Sequence, residues 1–208
     1  MGLKIKINVV NKHEYNDDED YKEVVVRLPI KEEQLNDIFW YLKVSDKKDA
    51  QVLSCEVVDE NDPHFSAVMG TVILSLIYRG KDVNYKTSYL DIKNIFDVLQ
   101  YSDDEVRDKI LAIYELTNDR LSNIKDFIKY LDNMEEFEFH RNITTAEQYA
   151  DELIDDSEVD MYDLIDFVDK EALGNTYCEN NDGKFTDYGL IFPVDSLTFN
   201  NEEEEEFE

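Results

Sequence analysis

Hydrophobic and polar residues alternate at the start of the chain, and this pattern predicts a strand. The alternating apolar positions are Leu3, Ile5, Ile7 and Val9. A period of two is typical of a half-buried strand. Two further segments, Glu23–Leu28 and Ala50–Val58, have strand-like sequences, and a helical spacing of apolar residues lies between them from position 35 to position 42. We therefore expect a small antiparallel sheet with one helix across it.

The longest apolar run follows this sheet and is harder to assign. Residues 67–78 are apolar except for Gly70, Thr71 and Ser75, and a run of this length is too short to span a bilayer. We interpret residues 68–78 and 83–87 as a hairpin with Gly80 in its turn, which would extend the first sheet.

From Asp91 onward the apolar spacing becomes helical, and it predicts three short helices. The second is expected to begin at a capping box formed by Ser102 and Glu105, and the third at Ser122. These helices would form a middle domain. The expected domains are thus residues 1–90, 91–132 and 133–199, followed by a disordered acidic tail, 200–208.

The last third combines two predicted strands, Phe137–His140 and Gly189–Pro193, with two helices between Thr144 and Gly174. Thr144 and Glu147 form the expected capping box of the first helix, and Gly174 is expected to end the second. The fold class predicted for the whole chain is therefore α+β, an elongated molecule of three small domains.

Carboxylates occupy the face of these two helices opposite the apolar residues. The first helix presents Glu147, Asp151 and Asp155, the second presents Asp160, Asp163, Asp166 and Asp169, and the middle domain adds Asp103, Asp104 and Asp108. Like charges at such spacings destabilise a helix by about 0.2–0.5 kcal/mol per pair, and Lys170 is the base that lies near the four aspartates of the second helix. Residues four apart lie about 6 Å apart along a helix axis, which approximates the charge spacing along one DNA strand. The alternative is an acidic face kept for solubility.

The charge of the chain favours a basic protein as the partner. There are 50 acidic and 21 basic residues, which gives a net charge of −29, and residues 133–208 hold 24 of the acids and 3 of the bases. Such a surface repels nucleic acids and acidic membranes and attracts basic grooves. The 11 Phe and 13 Tyr are too many for an entirely disordered chain.

Motifs of catalysis and metal binding are missing from the sequence. His13, His64 and His140 fall in separate segments without metal-ligand spacing, and no glycine-rich phosphate loop is present. We therefore expect no enzymatic activity, no metal and no cofactor. The two cysteines, Cys55 and Cys178, do not make a disulfide framework. No charged segment followed by an apolar one opens the chain, so we expect the protein to be cytoplasmic.

The segment from Leu164 to Asn175 resembles the hallmark motif of the ArdA antirestriction proteins. That motif is an aromatic residue, an aliphatic residue, Asp, any residue, Glu or Gln, Ala, a large residue and Gly. The matching residues are Phe167, Val168, Asp169, Glu171, Ala172, Leu173 and Gly174. Asn175 stands where the family usually has Arg. Shorter similarities keep the order of the family over most of the chain.

The resemblance implies an elongated, dimeric mimic of B-form DNA, carried on mobile genetic elements, that occupies the DNA groove of type I restriction-modification enzymes. In such a dimer an apolar strand could pair across the twofold axis. The residues expected there are Tyr188, Leu190, Ile191 and Phe192. The alternative is that this strand completes the sheet begun by Phe137–His140.

Three other functions stay open on the sequence. The chain could be an anti-CRISPR inhibitor that uses the same electrostatics against a Cas nuclease. It could be an acidic chaperone or scaffold for another basic DNA-binding protein, or a hydrolase with an unrecognised carboxylate site.

Overall fold

The computed structural model describes residues 2–15, 21–155 and 168–194. Its contacts cluster into two compact units, Met1–Met134 and Glu135–Glu208. The predicted domains 1–90 and 91–132 both fall in the first unit. Three of the predicted contact residues, Asp160, Asp163 and Asp166, and the predicted tail lie outside the described residues. Within the described residues, the fold is α+β with seven helices and two antiparallel three-stranded sheets.

The first sheet contains the three strands expected from the sequence. These are β1 (Lys4–Asn11), β2 (Glu23–Leu28) and β3 (Ala50–Val58), in the order β2-β1-β3. Ile7 pairs with Val26 on one side and Cys55 on the other. Ile5, Ile7 and Val9 have no solvent exposure. The alternating apolar residues therefore form the buried face of β1, as predicted.

Helix α1 (Glu32–Leu42) is the single helix predicted near this sheet. Two acidic residues lie in its first turn, where the helix dipole favours negative charge. The buried residues Leu35, Phe39 and Leu42 recur at helical spacing. Lys43 adopts a left-handed conformation, with φ of 54°, and ends the helix.

The hairpin expected between residues 68 and 87 is wrong, because this segment is the long helix α2 (Pro63–Asp82). Asp62 caps the helix by accepting a hydrogen bond of 3.0 Å from the Phe65 N–H, and Pro63 occupies the first turn. The helix buries a broad face against β3. The buried residues are Phe65, Ser66, Met69, Val72, Ile73, Leu76, Ile77 and Gly80. No helix among the described residues is long and apolar enough to cross a membrane.

The three helices expected between residues 91 and 132 are confirmed, with starts that differ by a few residues. They are α3 (Tyr89–Leu99), α4 (Asp104–Thr117) and α5 (Ile124–Asp132). The residue before each helix caps it. Asp103 and Asn123 replace the predicted Ser102 and Ser122, since their side chains accept the hydrogen bonds of the first turn.

A buried ion pair joins α4 to the end of β3. Arg107 Nη2 lies 2.9 Å from the Asp59 carboxylate, and the two side chains are 12% and 2% exposed. Arg107 Nη1 lies 3.6 Å from the carboxylate of Asp62, and the guanidinium stacks 4.8 Å from the ring centre of Phe65. The arginine therefore ties α4 to the start of α2 as well.

The second unit holds a sheet with the order β4-β6-β5 and two helices. Strands β4 (Phe137–His140) and β6 (Gly189–Pro193) have the predicted bounds, whereas β5 (Lys184–Thr186) was not predicted. Strand β6 pairs with β4 on one edge and β5 on the other. The structure therefore has the alternative arrangement, in which β6 completes the sheet begun by β4.

Helices α6 (Ala146–Asp155) and α7 (Lys170–Asn180) pack against each other. The capping box of α6 lies one residue later than predicted, since Gln148 accepts from the Thr145 N–H at 3.2 Å and its own N–H donates to Thr145 Oγ1 at 3.4 Å.

Gly174 lies inside α7 and is buried, so the prediction that it ends a helix is wrong. A Cβ at Gly174 would lie 1.9 Å from the carbonyl oxygen of Ala146. The glycine therefore permits the close approach of α6 and α7.

Candidate functional site

The candidate site is the acidic face of the second unit, and α6 supplies its best-defined part. Glu147, Asp151 and Asp155 are all exposed, while Ala146, Tyr149 and Ala150 are buried on the opposite face. Successive carboxylate positions on this helix are about 6 Å apart along the axis. The structure therefore brings these three predicted residues together on one exposed helix face.

Asp151 also has a structural partner. Lys170 Nζ lies 2.5 Å from Asp151 Oδ1 and joins the start of α7 to α6. The Asp151 side chain is 55% exposed, and an exposed pair contributes about 0–1 kcal/mol to stability. One of the three charges on α6 is therefore partly offset by the lysine.

Asp169 begins α7. Its side chain accepts a 3.0 Å hydrogen bond from the Ala172 N–H, while the residue stays exposed. The negative charge also faces the positive end of the helix dipole. Two residues of the motif that resembles ArdA thus have local structural roles. Asp169 caps α7, and Gly174 leaves room for the backbone of α6.

The other predicted carboxylates belong to the first unit and surround the start of α4. Asp103 is the cap of this helix and accepts from the Val106 N–H at 2.9 Å. Asp104 is exposed in the first turn, and Asp108 is half-buried one turn later. For Asp103 and Asp104 this position is itself a structural reason for the charge, because acids at a helix start are stabilising.

Three of the four residues expected at a dimer interface lie in the core of the second unit. Leu190 and Ile191 have no exposure, Phe192 is 5% exposed, and Tyr188 is half-buried. Both edges of their strand are paired within the chain, so a strand pairing across a twofold axis would need a different strand edge. The dimer itself stays a prediction.

One cluster in this unit was missed by sequence reasoning. His140 on β4 lies between two carboxylates, with Nε2 2.9 Å from Glu138 and Nδ1 2.8 Å from Glu152. The cluster borders a cleft of about 280 Å³. Its signal in the sequence was the spacing of Glu138 and His140, which places both on one side of the predicted strand, but the contribution of α6 depends on the tertiary fold.

Two ionisable groups of this unit have raised pKa values: Tyr149, which lines the cleft, and Cys178, which lies in the core. Burial, and then the carboxylate of Glu138, raises the pKa of Tyr149. Burial likewise raises the pKa of the Cys178 thiol, and Glu179 adds to the effect. In the described part of the chain, no group of three or more His, Cys, Asp or Glu residues has an arrangement that could hold a metal ion.

No protein-family model matches the chain, and no curated protein matches its sequence.

Proposed function

We propose that this protein is an acidic DNA mimic that occupies the DNA-binding groove of a type I restriction-modification enzyme and inhibits it without catalysis. One observation carries the proposal: eleven of the twelve acidic residues that the structure describes beyond residue 134 are exposed. The resemblance to ArdA supplies the class of target.

The distribution of charge between the two units supports a dedicated surface over general solubility. Residues 1–134 contain 26 acids and 18 bases, whereas residues 135–208 contain 24 acids and 3 bases. Acids added for solubility alone have no reason to be concentrated in one unit. A basic groove that normally binds phosphates would offset the repulsion among these acidic residues.

The mechanism we propose is occupancy. Exposed carboxylates at helical spacing, such as those of α6, take the place of phosphates and displace the counterions of a basic groove. Because many charges share the contact, each contributes little, and removing one should weaken binding only slightly. An enzyme site, in contrast, loses its activity when one essential carboxylate is changed.

The test measures binding of the full chain to a purified type I restriction-modification enzyme at about 50–300 mM salt, with duplex DNA as competitor. We expect affinity to fall steeply with salt and DNA to compete. A Cas nuclease serves as a second target in the same assay. Binding that does not change with salt, or a complex that contains both the protein and bound DNA, would reject the mimic and favour a scaffold.

A matched pair of variants tests whether the acidic face of α6 takes part. The test variant carries Glu147→Gln and Asp155→Asn. The control carries Glu33→Gln and Asp37→Asn, which removes the same charge from two exposed positions of α1. We expect the test variant to bind about two- to tenfold more weakly than the control. Equal binding by both variants would remove α6 from the interface.

A further inference from the structure

The contacts of His140 suggest that the cleft in the second unit receives a cation. Its two ring nitrogens lie 2.9 and 2.8 Å from the carboxylates of Glu138 and Glu152. The two glutamates therefore converge on the same planar ring, one from β4 and the other from α6.

Aromatic rings complete the surroundings of His140. The Phe192 ring meets the imidazole edge to face, with centroids 5.7 Å apart, and the Tyr149 ring lies 6.2 Å away. The faces of aromatic rings attract cations, and planar cations also stack on them. The site therefore combines negative charge with aromatic walls.

The size and charge of the cleft indicate which kind of ligand it can bind. Its volume of about 280 Å³ lies just below the range for small-molecule sites, roughly 300–1,000 Å³, so it suits a single side chain. Glu138 is 60% exposed and Glu152 37%, so both carboxylates can be reached from solvent. The two glutamates disfavour anionic ligands.

We propose that this cleft binds an arginine side chain of the basic partner. The guanidinium displaces the His140 ring and binds the carboxylates of Glu138 and Glu152 in its place. Arginine fits better than lysine because its planar group offers five N–H donors in a fixed fork. The basic nature of the partner rests on the proposed function, whereas the chemistry of the cleft rests on its geometry. The cleft would add a specific contact to an otherwise diffuse acidic surface.

The experiment is an NMR titration of the full-length, isotope-labelled protein with the blocked peptide Gly-Gly-Arg-Gly-Gly. We expect saturable shifts at the His140 ring and at the amides of β4 and α6. The same peptide with Lys should bind more weakly, and the peptide with Ala should not bind. No saturable shift at His140 with about 10 mM Arg peptide would overturn the proposal.

Two double variants separate the cleft from the general acidic field. Glu138→Gln with Glu152→Gln should weaken binding of the Arg peptide about tenfold, because it removes two charged acceptors. Glu171→Gln with Glu179→Gln removes the same charge from exposed positions that do not line the cleft, and should change affinity less than about twofold. Equal weakening by the two variants would overturn the proposal.

His140→Gln provides a test that leaves both carboxylates in place. Removing the internal competitor should tighten binding of the Arg peptide several-fold. Unchanged or weaker binding would overturn the displacement of His140. Peptide binding without competition against DNA would reject the proposed function alone, and DNA competition without peptide binding would reject the cleft alone.

Discussion

Gly174→Ala tests the close approach of α6 and α7 on which the acidic face depends. The new Cβ would lie 1.9 Å from the carbonyl oxygen of Ala146, 2.6 Å from its carbonyl carbon and 2.8 Å from its Cα. Contacts of a Cβ shorter than 3.0 Å essentially do not occur, so the helices must separate by about 1 Å. All three atoms are backbone, so no side-chain rotation can relieve the clash.

The expected loss of stability follows from two opposing effects. Replacing a glycine inside a helix with alanine favours the helix by about 0.5–1 kcal/mol. Overpacking costs about 1–3 kcal/mol, and a clash between backbone atoms belongs at the upper end of this range. We therefore expect a net destabilisation of about 2 kcal/mol, because the steric cost exceeds the helix preference.

The assay is native-state hydrogen exchange, which resolves the two units separately. Amides of α6 and α7 should lose protection by about 30-fold in Gly174→Ala. Gly70→Ala is the control: it also lies inside a helix, but the nearest atom to its new Cβ, the backbone N of Val57, is 3.7 Å away. Protection in α2 should rise about two- to fivefold. Unchanged or higher protection of α6 and α7 in Gly174→Ala would refute the close approach.

Three other changes have expected outcomes. Asp169→Ala removes the acceptor at the start of α7 and should cost about 1 kcal/mol, measured as lost amide protection in that helix. Arg107→Met leaves the buried Asp59 carboxylate without its ion pair and should lower the urea stability of the first unit by about 3–5 kcal/mol. Burial raises the pKa of the Cys55 thiol from 9.0 to about 12. The unfolded chain therefore loses this proton at lower pH, and stability should fall as pH rises from about 9 towards 12 in alkaline unfolding.

Each of these changes has a control. Asp169→Asn keeps an acceptor and should retain the helix, so an equal loss would contradict the role as a cap. Adding Asp59→Asn to Arg107→Met should recover part of the lost stability, and an unchanged urea midpoint in the single variant would argue against a buried pair. Cys55→Ala should flatten the pH dependence just above pH 9, and a profile identical to that of the native chain would exclude this thiol as its cause.

Local signals in the sequence were sufficient for most elements. The alternation that gives β1 and the caps near α4 and α5 depend only on neighbouring residues, so the elements were predicted with small errors at their ends. The exposed face of α6 was predicted for the same reason, because residues four apart must share one side of a helix.

Sequence reasoning failed where distant residues decide the structure. The run that forms α2 is apolar on most sides, and periodicity alone does not separate a buried helix from a buried strand. The helix-start signal at Asp62 and Pro63 was not used in the prediction. Gly174 was assigned to a helix end because the reason for a glycine inside α7 is the backbone of α6, which lies 28 residues earlier at Ala146.

The sequence by itself determined the α+β composition, the concentration of acids after residue 134 and the charged face of α6. Tertiary structure decided which of these acids have partners. Lys170 reaches Asp151 and His140 reaches Glu152 only because the packing of the second unit brings their elements together. Charge and periodicity are properties of the chain, whereas an ion pair or a cleft requires side chains from separate elements to meet at a distance of about 3 Å, which only the packed fold sets.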